Sequence, residues 1–238
     1  YNYAEVVSGY TAFYIGLSHV LEENDMKAVM DVYYTSSWFD FDKEKSAAEY
    51  LLENGCVIIG QHADSAGAPT GVQNSGKNAF SVGYNVDMLD AAPTAALTSA
   101  TNNWAVYYNA LFTAFAANNM ESVKDWSEGY SFDAVGTTTL GPSCAEGTAA
   151  YVDALVADLK AGKLHVFDTS KFTVGGETIT TYQPQLSYMD WAAGVAIYEG
   201  PVVDAIVTDE DGVSYFDESS FRAAPYFDLR IDGITELN

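Results

Sequence analysis

The sequence predicts an α/β fold: a mostly parallel sheet with helices on both faces, followed by a β-rich C-terminal extension. Two observations carry this. Short apolar, strand-like segments alternate with helix-like ones through the first two-thirds of the chain, and beyond Leu164 the pattern gives way to hairpins. Repeated strand–helix–strand units imply parallel strands covered on both faces, and right-handed crossovers bring the strand C-termini to one edge.

Each element has its own local reason. Residues 5–21 carry Val6, Tyr10, Phe13, Leu17 and Val20 near helical spacing. Residues 28–34 read as a strand. Residues 42–54 read as a helix, with Asp42 as N-cap and Gly55 just past its end. Residues 56–59 form a short apolar strand, 67–75 a helix of small residues, 79–84 a strand, 96–100 another, and 102–117 an aromatic-rich helix. Residues 131–140 are strand-like, and Gly141-Pro142 turns the chain. Residues 144–162 form an amphipathic helix with Tyr151, Leu155 and Leu159 on one face, closed by Gly162. Hairpins follow at 172–179, turning at Gly175-Gly176, and at 205–216, turning at Asp211-Gly212. No internal repeat or low-complexity tract stands out.

Composition excludes some functions. Of 238 residues, 10 are Lys or Arg and 33 are Asp or Glu, a net charge of −23. Such a surface repels nucleic acid and disfavours docking onto anionic lipid. No apolar run reaches the length of a membrane span. The chain opens at Tyr1 rather than Met and carries no signal-peptide pattern, which reads as a processed product or a fragment. Cys56 and Cys144 fit two buried thiols or a single bridge.

The strand-end loops are the chemically distinctive part. In an open α/β sheet, ligands sit beyond the carboxyl ends of the strands. Residues 36–40, 62–65, 85–87 and 99–103 gather there. Trp38-Phe39-Asp40 places aromatics beside a carboxylate, which suits a flat, hydrogen-bonding ligand: the ring stacks and the acid accepts. The alternative is that both rings simply cap the core. Asp87 similarly fits either a ligand acceptor or a turn residue ahead of Pro93.

A hydrolase reading of His62, Asp64, Ser65 and Ser99 lacks a strand–Gly-x-Ser-x-Gly–helix elbow. His19 and His165 sit on other elements, and His165 reads as structural. Residues 209–212 lack the later ligands of a calcium loop, and no Cys or His spacing suits zinc. No metal or cofactor is therefore expected, nor catalysis. A sugar-sensing repressor would need a basic helix-turn-helix, which is absent.

The residues 37–40 (Ser-Trp-Phe-Asp), 61–65 (Gln-His-Ala-Asp-Ser), 82–88 (Val-Gly-Tyr-Asn-Val-Asp-Met), 97–99 (Leu-Thr-Ser) and 162–166 (Gly-Lys-Leu-His-Val) resemble, in order and spacing, the basic membrane protein family. These are substrate-binding lipoproteins of ABC transporters, similar to the purine nucleoside receptor of spirochaetes. The resemblance implies a type I periplasmic-binding-protein lobe, the second of two that close on a purine base or nucleoside. The first lobe and the strand that normally opens the second would precede Tyr1. It also implies a division of the chain: residues 1–101 as second lobe, 102–128 as a crossover helix packing toward the first lobe, 129–166 as the return, and 167–238 as the extension. Hinges are expected at residues 100–103 and near Gly129.

Carried over residue by residue, Trp38 takes the stacking-aromatic position, and Asp87 matches the second acid of a Gly-x-Asp-x-Asp pattern whose first acid is replaced by Asn85. Asn102 stands where nucleoside-binding members often carry lysine. The patterns around Trp38 and His62 look more like members that hold a free base such as adenine. The expected ligand contacts are Trp38, Phe39, Asp40, His62, Asp64, Ser65, Asn85, Asp87 and Asn102. The implied partners are the ligand and an ABC permease, for a monomer lipid-anchored on the outer face of the membrane. A truncated or repurposed surface protein without a transport role is the alternative.

Overall fold

The computed structural model describes residues 1–190 and 192–238. Helix α1 (Ala4–Glu22) leads to strand β1 (Met30–Val32), helix α2 (Phe41–Glu53), β2 (Ile58–Gly60), α3 (Gly67–Asn74), β3 (Phe80–Tyr84) and β4 (Ala96–Asn102). Helix α4 (Trp104–Ala116), two short 3-10 turns and β5 (Val135–Thr137) follow, then α5 (Thr148–Lys160). The tail holds two hairpins, β6 (Tyr188–Asp190) with β7 (Val195–Tyr198) and β8 (Ile206–Thr208) with β9 (Ser214–Phe216), and a final strand β10 (Ile234–Glu236).

Strands β2, β3 and β4 pair in parallel, and β5 joins β4 antiparallel. Ile59 on β2 is buried with Ala48, Leu52, Ala68 and Val72 of α2 and α3. Its neighbour Gly60 looks the other way, where a Cβ would meet the Phe13 ring of α1 at 3.1 Å. Alternation along the strand thus sets α2 and α3 on one face and α1 on the other. The fold is mixed α/β with a parallel-dominated sheet, as the sequence predicts.

Strand β1 pairs in parallel with β10, so the tail's last strand lies beside the first strand of the chain. The tail also shares a buried core with α1: Val7 and Ile15 sit among Phe167, Phe172, Phe216, Tyr226 and Phe227. Ser8 seals the contact. Its hydroxyl donates to the Phe227 carbonyl at 3.2 Å and accepts from the Phe227 N–H at 2.9 Å.

Several sequence expectations shift. The strand expected at 28–34 narrows to three residues, because only Met30, Asp31 and Val32 find ladder partners. Asn102 ends β4 rather than opening a helix. The helix expected from 144 starts at Thr148, after a left-handed Gly147 (φ 89°). Cys56 and Cys144 are free thiols. His165 bonds Asp209 at 2.9 Å and stacks on Tyr215 at 3.7 Å, and Asp209 spends its other oxygen on the hairpin's backbone.

Candidate functional site

The loops after β1, β2, β3 and β4 meet at one rim. The loop after β1 runs through Ser36, in a left-handed turn (φ 52°), to Trp38 and Phe39, which are 40% and 70% exposed. Both rings stand clear of the core, contrary to the core-capping alternative. Tyr1 and Tyr3 flank the indole at 5.2 and 6.0 Å between centroids.

Asp40, not Asp42, caps α2. Its Oδ1 accepts from the Lys43 N–H at 3.1 Å, and Lys43 Nζ lies 3.3 Å from Oδ2. These backbone and lysine contacts hold its carboxyl below the usual range. Asp40 is thereby occupied by its own helix. Behind it, the buried Glu44 fastens two rim loops together: one carboxylate oxygen accepts from the Asp40 N–H at 3.0 Å and the Ser65 N–H at 3.3 Å. The Trp38 carbonyl completes that link by accepting from the Asp64 N–H at 2.8 Å.

In the second loop, Gln61 donates to the carbonyls of Ala63 and Ser65 at 2.6 and 2.9 Å, fixing the turn. His62 stacks on Tyr84 of β3, centroids 4.5 Å apart. Its other flank faces Gly9 of α1, where a Cβ would fall 2.4 Å from His62 Cδ2. Only glycine admits so close an approach. Burial keeps the imidazole below its ordinary value, against the pull of Asp64 and Glu5, so the ring is biased toward neutral. Its Nδ1 has no partner among the described residues. Ser65 is 2% exposed, and its hydroxyl accepts from the Gly67 N–H at the start of α3.

The third and fourth loops supply an amide pair. Asn85 adopts a left-handed conformation (φ 65°), which asparagine tolerates. Its N–H donates to the Ala100 carbonyl at 2.8 Å, and Thr101 Oγ1 donates to its carbonyl at 2.7 Å. Its side-chain amide donates to Asp64 at 2.7 Å, while Asn102 makes a long 3.5 Å contact to its oxygen. Asp87 is exposed, and one of its oxygens accepts from the Leu89 N–H at 2.8 Å, as a turn residue would. Burial pushes the Tyr84 phenol up, Asp64 adds to this, and Asn102 opposes it.

The rim thus joins Trp38, His62, Asp64, Asn85 and Asn102 in one network through Tyr84 and backbone bonds. Asp40, Ser65 and Asp87 each also make a local turn or cap bond. Sequence reasoning missed Glu44, Gln61, Tyr84, Gly9 and the two N-terminal tyrosines. Of these, Gln61 and Tyr84 lie inside the quoted motifs and Glu44 is a carboxylate in the first turn of a helix beside one, but sequence reasoning gave none of them a role. The rim can stack a ring, accept N–H or O–H, and donate from amides. Trp38 and Phe39 leave it exposed; elsewhere, a groove of about 430 Å³ lies along α4, and a 170 Å³ pocket lies beside Tyr10 and Arg230.

A family model described as ABC transporter substrate-binding protein, PnrA-like, matches residues 3–156. The chain belongs to this family. The family's description is that of proteins that bind substrates for ABC transporters. A purine-binding protein of Brucella abortus is 36% identical over 104 residues, 44% of this chain and 28% of that protein. A putative ABC transporter glucose-binding protein of Haloferax volcanii is 27% identical over 122 residues, 51% of this chain and 30% of that one. The chain therefore spans under a third of the length of these curated relatives. Among solved structures, an ABC-transporter solute-binding protein of Conexibacter woesei aligns with a TM-score of 0.44 at 19% identity, covering 56% of this chain and 44% of that one. One from Aeropyrum pernix gives 0.45 at 14% identity, over 70% and 64%.

Proposed function

We propose that this chain is the ligand-gripping second lobe of an extracytoplasmic solute-binding protein that delivers a purine base or nucleoside to an ABC permease. The observation that carries the reading is the rim network itself: an exposed indole, a neutral-biased imidazole, two amides and a carboxylate, tied across four strand ends. Stacking of a base on an aromatic face contributes about 1–3 kcal/mol. The amides and Asp64 would read the purine edge, because a mismatched ligand leaves them unpaired. Asn102 in place of a cation favours a base over a nucleoside. The Brucella relative's purine-binding name points the same way.

The open rim fits a site closed by another lobe. In this reading residues 103–134 are the excursion toward it, leaving and returning where β4 pairs with β5. Trp104, Tyr108, Phe112 and Phe115 on α4 are 49–73% exposed and would be covered there. The protein would act as a monomer outside the cytoplasm, held by a lipid anchor. Among the described residues no helix is long and apolar enough to cross a membrane. Ligand binding closes the lobes only if it favours the closed state.

Calorimetry with adenine, guanosine, adenosine and inosine tests this. Saturable binding that weakens about 5- to 150-fold in Trp38→Ala is expected, the range set by one stacking contact. Absence of binding to all four purines, or binding indifferent to Trp38→Ala, would overturn it.

A further inference from the structure

We propose that the tail serves the rim: Glu236 and Asn238, at the end of its last strand, are positioning residues for the loop that carries Trp38. This rests on the ligand-binding reading of the rim and gives the β-rich extension a part in it.

The loop after β1 differs from the other three in what holds its root. Strands β2, β3 and β4 hydrogen-bond one another in a single sheet, whereas β1 pairs, among the described residues, with β10 alone. Where the loop leaves the rim, Glu44 holds Asp40 and the Asp64 N–H holds the Trp38 carbonyl. Where it enters, the contacts come from the tail. The Leu237 N–H donates to the Val32 carbonyl at 2.9 Å. The Asn238 side chain continues the ladder: Oδ1 accepts from the Tyr34 N–H at 2.9 Å, and Nδ2 donates to the Tyr34 carbonyl at 3.0 Å. A primary amide offers the same donor and acceptor as a peptide group, so it stands in for a further strand residue's backbone. Three residues then separate Tyr34 from Trp38. They have little slack, because Ser36 is in a left-handed turn and Thr35 Oγ1 donates to the Ser37 carbonyl at 3.1 Å.

Glu236 fixes the ring of the same tyrosine. One of its oxygens accepts from the Tyr34 hydroxyl at 2.8 Å and from the Tyr10 hydroxyl at 2.7 Å, and lies 2.6 Å from Arg230 Nε. Tyr10 follows Gly9, the α1 residue packed on His62. A single carboxylate thus ties the root of the Trp38 loop to the helix turn that abuts the imidazole. Tyr34 is held at its N–H, its carbonyl and its hydroxyl, each time by Glu236 or Asn238. The ring is buried, so it acts on the site through the loop it roots. The work divides along the strand: Ile234 packs against the core shared with α1, and the polar Glu236 and Asn238 reach Tyr34. A site residue held by its supports before the ligand arrives loses less entropy on binding, and a loosely supported one binds more weakly.

The test combines fluorine NMR of the full chain, its four tryptophans replaced by fluorotryptophan, with thermal melting and calorimetry on the same four purines. The Trp38 signal is the one missing in Trp38→Phe. Asn238→Ala is expected to shift or broaden the Trp38 signal alone and to weaken purine binding about 3- to 10-fold, the scale of one lost hydrogen bond. Asn238→Asp, which sets a carboxylate oxygen against the Tyr34 carbonyl, should do the same, whereas Asn238→Gln, which keeps the amide, should lie closer to wild type. Tyr34→Phe, which frees Glu236 from the loop and leaves the strand pairing intact, should give a smaller change of the same kind. Thr173→Val removes a bond to Asp232 at the opposite end of β10, and should lower the melting temperature without moving the Trp38 signal. An unmoved Trp38 signal in Asn238→Ala and Tyr34→Phe overturns the proposal, as does a shift of equal size in Thr173→Val. A moved signal with unchanged purine affinity removes the tail from the site and leaves the purine reading intact. A moved signal in a chain whose wild type binds none of the four purines keeps the positioning and overturns the purine reading.

Discussion

Between α2, α3 and the sheet, the buried residues are mostly alanines: Ala48, Ala68, Ala79, Ala92, Ala95 and Ala96. Around α1 and the tail the largest of them are rings: Phe167, Phe172, Phe216, Tyr226 and Phe227. The alanine core lets helices approach the strands and each other closely, which fixes the rim loops at their roots. The ring core fills a wider space, and Phe227 contacts Phe167 at 4.3 Å and Phe216 at 4.8 Å. One core is sensitive to added atoms and the other to lost ones.

The largest effect should come from emptying the ring core. Phe227→Ala removes a fully buried ring and is expected to cost about 3–5 kcal/mol in urea unfolding. A loss below 1 kcal/mol would mean that the tail is not integral to the fold.

Next comes a buried acid in the same region. Burial raises the Glu218 carboxyl to about 7, Ser8 opposes this, and Asp217 adds to it. The folded state therefore holds a proton that the unfolded chain releases near its ordinary value. Stability from this group is full below the unfolded value and falls as pH rises through about 7. The drop is on the order of 3 kcal/mol, from 1.36 kcal/mol per pH unit across the shift. Glu218→Gln should flatten the stability profile between pH 5 and 8, measured by denaturant midpoints. An unchanged slope would assign the dependence elsewhere.

The alanine core gives the smallest of the three effects, with the opposite chemistry. A Cβ on Gly67 would fall 2.2 Å from the Phe41 carbonyl oxygen, a backbone atom that cannot swing away. Gly67→Ala should cost roughly 1–3 kcal/mol and, by moving α3 against α2, also weaken ligand binding at the rim. Lost stability with unchanged affinity would separate the helix packing from the site.

Legibility in the sequence followed the same division. Helix α1 was readable to within a residue at each end because its apolar spacing is local. The hairpin at Asp211-Gly212 was readable from its turn residues. Three rim loops were readable because β2, β3 and β4 run parallel, whereas β1 pairs instead with β10 and its loop is tied to the others by Glu44 and the Asp64–Trp38 backbone bond. What local pattern could not supply was which acid does which job. Asp40 and Asp42 both precede Lys43, and only the extended backbone at Asp40 (φ −154°, ψ 96°) makes it the cap. Asp87 had two local readings, turn residue and ligand acceptor, and the Leu89 N–H on one oxygen is compatible with both. Glu44, Gly9 and Tyr84 act across distances in sequence that no window spans.

The pairing of β10 with β1 has a temporal side. Met30 sits opposite Ile234, so β1 awaits a neighbour 204 residues downstream. At synthesis rates of about 5–20 residues per second, the wait is roughly 10–40 s. During that interval β1 offers a bare edge to any passing strand, and the α1 face meant for the aromatic tail is uncovered. The nascent chain is thus most open to mispairing over the span in which its first helix is already made and its last strand is not.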